Sequence, residues 1–300
     1  MRFYFILTLF ISLLFSDNTQ RTIAFAQDTM ANDYRKEQVF EAKKEAEKNK
    51  DIKFIYSDAN GQTSMLIRQI EKFIKDKVDV IIIGTNDEEA VVPVISKAMS
   101  QGIAVIILDR GVKTENYSTF INSDNVNIGK IGAEYIAKRL NGKGKVLLFE
   151  GLQKADVTHL RTKGFMDEIL KYKEIEVIKR TGNYLRKDAI KETEELVKNN
   201  ISVDAIFSES DSMLSGVRST YDKYGIDSSK VIMVGCDYTS EAKEAIIKGT
   251  QTGSILFPLG GVESIQTAIK IINKEKVDKH IVIPVKLVTK ENVEIIKPVF

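Results

Sequence analysis

Short apolar runs, each followed by a longer segment of helical period, restrict this 300-residue chain more than any other feature. "VDVIIIG" (78–84) and "GIAVIIL" (102–108) leave almost nothing polar to face water on either side of a strand. Runs of that kind suit strands covered on both faces in a parallel sheet. Strands are predicted at 22–26, 52–56, 78–83, 103–108 and 119–121, then at 145–149, 176–179, 205–207, 231–234, 254–257 and 281–287. Helical patterns lie between them. "MLIRQIEKFIKD" puts Ile67, Ile70, Phe73 and Ile74 on one face, and "NIGKIGAEYIAKRL" repeats the pattern with Ile128, Ile131, Tyr135, Ile136 and Leu140 before Gly142 and Gly144 stop the helix. Strand, helix and strand at this spacing imply right-handed βαβ units in a doubly wound α/β fold. So many strands exceed one comfortable sheet, so two similar Rossmann-like domains are expected, with a break near "FINSDN" (120–125).

Composition removes several function classes. The chain is 43% hydrophobic and 29% charged, as expected of a globular protein. A net charge of +2 without a basic block argues against nucleic acid as a partner. The lone Cys236 has no disulfide partner, and the two histidines, His159 and His280, are far apart, so neither a zinc site nor a resident metal is expected. Neither G-x-G-x-x-G nor G-x-x-x-x-G-K-[ST] occurs, so no nucleotide cofactor is expected. At the N-terminus Arg2 precedes thirteen mostly apolar residues, "FYFILTLFISLLF". That length fits an export signal, whereas a membrane span needs about 20 residues. Residues 1–19 are read as a signal peptide, with an uncleaved anchor as the alternative and Ser16 as a possible small residue at the cut. "AFA" (24–26) matches A-x-A formally, but cleavage there would remove the first strand. A periplasmic location follows.

Ligands of open α/β sheets bind beyond the carboxyl ends of the strands. Those ends carry "QDTMANDYR", "SDANGQ", "GTNDEE", "DR" (109–110), "SESDSM" and "GCDYT". Carboxylates that accept from hydroxyls, a planar arginine donor and an aromatic face for the C–H side of a ring together suit a sugar. Structural roles compete at each position. Asp109 and Arg110 could be an exposed ion pair worth about 0–1 kcal/mol. Ser210, Asp211, Asn86 and Asp87 could cap helices, and Tyr184 could be core packing.

The ordered set "TIAFAQDTMANDYR", "DVIIIGTNDEEAV", "GIAVIILDR", "FINSDNVNIGKIGAEYIA", "RTKGF", "IFSESDSML" and "VGCDYTSEAKEAI" resembles the periplasmic sugar-binding proteins of the ribose/galactofuranose type. These share the type 1 periplasmic binding protein fold with the effector domains of LacI-type repressors. The resemblance covers about residues 20–295. It implies two domains, 20–122 plus 258–283 and 123–257 plus 284–300, joined by a three-segment hinge. It also implies ligand contacts from Asp109, Arg110, Arg161 and Asp237, with Asn32, Tyr34, Arg35 and Tyr184 beside them. Ser210, Asp211, Asn86 and Phe257 complete the expected site; the role of Glu209 stays open. Three departures stand out: Gly84 where ribose binders carry Asn, "ESD" (209–211) where "QND" is common, and "ILFPLGG", where Phe257 replaces a polar contact. The "FPLGG" form is also similar to solute-binding domains that feed histidine-kinase sensors. The expected function is capture of a monosaccharide by a monomer, without catalysis. Its membrane partner would be an ABC permease or, alternatively, a sensor kinase or chemotaxis receptor. A repressor would need a helix-turn-helix where the apolar leader stands, and an enzyme would need a catalytic constellation that the sequence does not show.

Overall fold

The computed structural model describes residues 20–300, so the leader reading for 1–19 lies outside the described residues. In chain order the first half comprises β1 (Arg21–Gln27), α1 (Asp33–Ala46), β2 (Ile52–Asp58), α2 (Thr63–Lys75), β3 (Val80–Gly84), α3 (Val92–Ser100), β4 (Ala104–Leu108) and β5 (Thr119–Asn122). The second half begins with α4 (Asn125–Arg139), β6 (Lys143–Glu150), α5 (Asp156–Ile169), β7 (Glu174–Thr181), α6 (Arg186–Lys198), β8 (Ala205–Ser208) and α7 (Asp211–Lys223). It ends with β9 (Ile232–Asp237), α8 (Ser240–Lys248), β10 (Gly253–Leu256), α9 (Gly261–Ile272), β11 (His280–Val282) and β12 (Lys286–Thr289).

These strands form two six-stranded sheets, ordered β11-β5-β4-β3-β1-β2 and β12-β10-β9-β8-β6-β7. All pairings are parallel except β10 with β12, which is antiparallel. The apolar runs do what their composition requires: all five residues of β3 are buried, with Ile81 and Ile83 facing one core layer and Val80 and Ile82 the other. In each sheet the strand order reverses between two adjacent strands, β1/β3 and β6/β8. Such a switch point opens a crevice at the carboxyl ends of the strands.

The chain passes between the sheets three times: between β5 and α4, between β10 and α9, and between β11 and β12. The single strand predicted at 281–287 is therefore two strands, one in each sheet. Pro284, with no N–H to donate, stands in the gap between them. "AFA" (24–26) lies wholly buried within β1, a central strand.

Glycines set how closely α4 and α5 approach. A Cβ on Gly164 would stand 1.9 Å from the Val126 carbonyl oxygen, and one on Gly129 2.0 Å from that of Arg161. The backbone carrying Arg161 is thereby pressed against α4. Gly164→Ala is expected to push the helices apart, destabilising the protein by about 1–3 kcal/mol in chemical denaturation.

Candidate functional site

Both switch points face a common cavity lined by Asn32, Tyr34, Arg35, Asp109, Arg110, Val157, Arg161, Tyr184, Ser210, Asp237 and Phe257. Ten of the twelve residues singled out from the sequence therefore meet in one place. The two exceptions are Asp211 and Asn86. The carboxylate of Asp211 is occupied by four donors: the backbone N of Tyr238 (2.7 Å) and of Thr239 (3.4 Å), Ser254 Oγ (2.6 Å) and Gln251 Nε2 (2.8 Å). It braces the turn after β9 rather than lining the cavity. Asn86 follows β3 and is half-buried outside the cavity wall; Gln27 fills the space beside Gly84, since a Cβ there would lie 2.4 Å from Gln27 Oε1.

Asp109 and Arg110 are not an exposed ion pair with each other. Both are buried, and Arg110 Nη1 instead donates to Asp28 Oδ2 at 3.0 Å. Asp28 also lies 3.9 Å from Arg35 Nε, so one carboxylate serves two guanidinium groups. Arg35 Nη1 donates to Gln38 Oε1 (3.1 Å), and Gln38 passes the tie to the Leu259 carbonyl (2.7 Å) in the chain crossing before α9. Arg35 Nη2 is 3.0 Å from Asp109 Oδ2, yet it is not aimed along a hydrogen-bonding direction and has no such partner among the described residues. Asp109 Oδ1 and Arg110 Nε, also on the cavity wall, are likewise buried without one, and so is Asp28 Oδ1, which lies outside the lining. Buried polar atoms are nearly always paired, so a cluster of orphans on one wall marks where a polar ligand would complete the set.

From the other sheet come Arg161, Asp237, Ser210 and Tyr184. Arg161 is fixed by Nε to Asn125 Oδ1 (2.8 Å) and by Nη1 to the Glu209 carbonyl (2.7 Å), with its guanidinium 4.5 Å from the Phe257 ring centroid. Phe257 in turn stacks on Tyr34 (5.0 Å, 18°), whose hydroxyl donates to the Pro258 carbonyl at 2.6 Å. Ser210 caps α7, accepting from Met213 N at 3.2 Å, and still reaches the wall. The Tyr184 ring lies so close to Gly151 that a Cβ there would fall 1.9 Å from it.

Backbone strain gathers at the same residues. Asp109 (φ 69°), Tyr184 (φ 61°) and Asp237 (φ 110°) all adopt positive φ without being glycine. Each such residue costs on the order of 1–3 kcal/mol and is characteristic of binding sites. Burial, followed by the neighbouring Asp211 charge, pushes the Asp237 carboxyl well above the usual range. Arg110 is lowered by burial and then by Arg35.

Direct bonds join the two halves across the cavity mouth. Asn32 Nδ2 donates to the Tyr184 carbonyl (2.7 Å), and Gly111 N donates to Asp156 Oδ2 (2.8 Å). The two halves are therefore in direct contact in the described form. Val157, Asp28 and Gln38 were missed from the sequence. Asp28 stood within the quoted strand end "QDTMANDYR", but nothing in the spacing showed that it would hold two arginines.

The family model described as "Periplasmic binding protein domain" matches residues 23–276. The chain belongs to this family. It is 28% identical to the ribose import binding protein of Haemophilus influenzae over 279 residues, 91% of this chain and 93% of that protein. Among solved structures it is similar to an ABC transporter solute-binding protein from Bacillus halodurans with bound myo-inositol (TM-score 0.87, 27% identity, 93% of this chain and 98% of that one). It is also similar to the fructose-binding periplasmic domain of a hybrid two-component system (TM-score 0.85, 25% identity, 92% of each chain). The two-sheet architecture is thus that of the type 1 periplasmic binding proteins.

Asp28→Asn is expected to leave Arg35 and Arg110 buried without their shared counter-charge. That change should cost about 3–5 kcal/mol in denaturant unfolding of the ligand-free protein, although Asp28 itself does not line the cavity.

Proposed function

We propose that this periplasmic binding protein captures a neutral monosaccharide or closely related polyol between two hinged domains and presents the closed form to an ABC permease. The observation that carries the reading is the set of orphaned polar atoms: Asp109 Oδ1 accepts only, while Arg35 Nη2 and Arg110 Nε donate only. A hydroxyl group is both donor and acceptor, so a polyol can satisfy both kinds at once. Charge pairing argues for a neutral ligand: the buried guanidinium groups of Arg35 and Arg110 already face the carboxylates of Asp28 and Asp109. A sugar acid or phosphate would bring an anion against Asp109. The names of the relatives, which bind ribose, myo-inositol and fructose, support the same class.

In this reading Asp109, Arg110, Arg35, Arg161, Asp237, Asn32 and Ser210 hold ring hydroxyls. Tyr184, Tyr34 and Phe257 supply apolar walls. The hinged units are 20–122 plus 258–283 and 123–257 plus 284–300. Ligand favours closure because only the closed form makes both sets of contacts. The chain is exported to the periplasm by its leader and acts as a monomer without catalysis. Similarity to the two-component fructose-binding domain supports a second reading, in which the closed form is read by a sensor kinase. Stimulation of a reconstituted permease ATPase, against stimulation of kinase autophosphorylation, separates the two.

A thermal-shift panel of pentoses, hexoses and cyclitols tests the ligand class, since a ligand at 100 times its Kd adds about 2.7 kcal/mol. At least one is expected to raise the melting temperature, and sugar acids and phosphates are not; a panel with no shift removes the reading. Asp109→Ala is expected to abolish the shift while the ligand-free protein stays folded.

A further inference from the structure

Behind the Tyr184 and Arg161 wall lies a hydrogen-bond arrangement that does not balance if every acid in it is ionised. Thr162 Oγ1 is 2.9 Å from Glu150 Oε1 and 3.0 Å from Glu209 Oε1. A hydroxyl carries one hydrogen, so it donates to only one of these oxygens. If both were carboxylates, the other would face a bare lone pair at hydrogen-bonding distance. Glu150 is the acid with a counter-charge, Lys179 Nζ at 3.3 Å, and some solvent contact. Glu209 is fully buried. Its second oxygen, Oε2, accepts from Gly151 N at 2.9 Å. The hydroxyl of Tyr184, 3.4 Å away, does not serve Glu209, because Thr158 spends its only hydrogen on the Leu152 carbonyl (2.8 Å) and so takes that of Tyr184 (2.7 Å).

We propose that Glu209 is a positioning residue of the ligand site that works as a neutral carboxylic acid: its Oε1–H donates to Thr162 Oγ1, and Thr162 donates to Glu150 Oε1. The chain of donors clamps α5 to the ends of β6 and β8. Three cavity contacts hang on that clamp. Arg161 is on α5 and takes the Glu209 carbonyl. Val157 is on the same helix and lines the cavity. Tyr184 packs on Gly151, whose N–H Glu209 holds. The titratable groups facing Glu209 are Arg161 on α5, Glu150 on β6, Tyr184 after β7 and Cys236 on β9. Burial pushes the Glu209 carboxyl from its usual 4.5 up to about 7, in keeping with a bound proton. Loss of that proton leaves Thr162 Oγ1 one hydrogen for two carboxylates, so one of the two bonds that hold α5 is lost. The consequence for affinity rests on the sugar-capture reading; the protonation itself does not.

The test follows the carboxyl carbons of glutamate in ligand-free protein by carbon NMR from about pH 5 to 8, in the wild type, Glu209→Gln and Thr162→Val. One glutamate is expected to titrate near neutrality and to vanish in Glu209→Gln. Thr162→Val removes the acceptor of the acid proton, so the midpoint should fall; a rise would mean that Thr162 donates to an ionised Glu209 and would overturn the proposal. Were all glutamates to titrate below about pH 5.5, it would fall outright. The linkage has a definite sign. The folded state binds the Glu209 proton more tightly than the unfolded chain, so wild-type stability falls relative to Glu209→Gln as pH rises from about 4.5 to about 7. The relative folding constant should drop on the order of a hundred-fold across about pH 5 to 8. Amide exchange of Gly151 and α5, compared between wild type and Glu209→Gln at equal pH, reads positioning directly. Faster exchange in the wild type at pH 8 only is expected, and equal exchange at every pH would leave Glu209 a buried acid without a positioning role. With any sugar from the panel, affinity should weaken above neutrality in the wild type and stay level in Glu209→Gln; an equal pH dependence in both counts against the role.

Discussion

The buried carboxylate of Asp28 sets the first half of the cavity, because it keeps two guanidinium groups, Arg35 and Arg110, charged away from water at adjacent positions. Removing arginines from solvent costs several kcal/mol each unless a counter-charge is close. Asp28 supplies that counter-charge at the end of β1, the central strand beside the switch point. Because Asp28 takes Nη1 of Arg110 and sits beside Nε of Arg35, it leaves Arg110 Nε and Arg35 Nη2 directed elsewhere. The wall is thus held together by ion pairing yet left short of hydrogen bonds. The ion pairs and the unpaired positions use different atoms of the same side chains.

The second half is fixed by packing. Glycines at 129 and 164 bring α4 and α5 into backbone contact, and the Asn125 side chain at the start of α4 then reaches Arg161 Nε. The two halves are linked through the chain crossing at 257–259. Tyr34 and Gln38, one turn apart on α1, grip the carbonyls of Pro258 and Leu259, while Phe257 lies against Arg161. A rotation at this crossing therefore moves groups on both walls.

Much of this was legible in the sequence, for identifiable reasons. Parallel strands buried on both faces declare themselves as apolar runs, and the polar residues that end them fall at the carboxyl ends where such folds bind ligands. Asp109, Arg110 and Asp237 were found that way, and Arg161, which sits mid-helix, came only from its "RTKGF" motif. What sequence spacing does not carry is which oxygen meets which nitrogen. Asp211 follows a strand end like the others, but its carboxylate turns back to brace Tyr238 and Ser254. Residues 281–287 read as one apolar strand, because nothing local marks a crossing between sheets except Pro284.

Phe257 and Tyr34 show how a departure in sequence changes the chemistry of a wall. With a polar residue at 257, that edge would offer one more hydrogen-bonding group to a ligand. A phenylalanine instead stacks on Tyr34 and carries the Arg161 guanidinium on its face. Tyr34 is then held by its neighbour and by Pro258, so its ring belongs to the wall and is not free to swing over a ligand. Cation–aromatic contact of this kind is strongest where water is excluded, and Arg161 is 3% exposed. Phe257 therefore helps to fix the plane of the Arg161 guanidinium. The donors and acceptors left on this part of the wall are few and rigidly held.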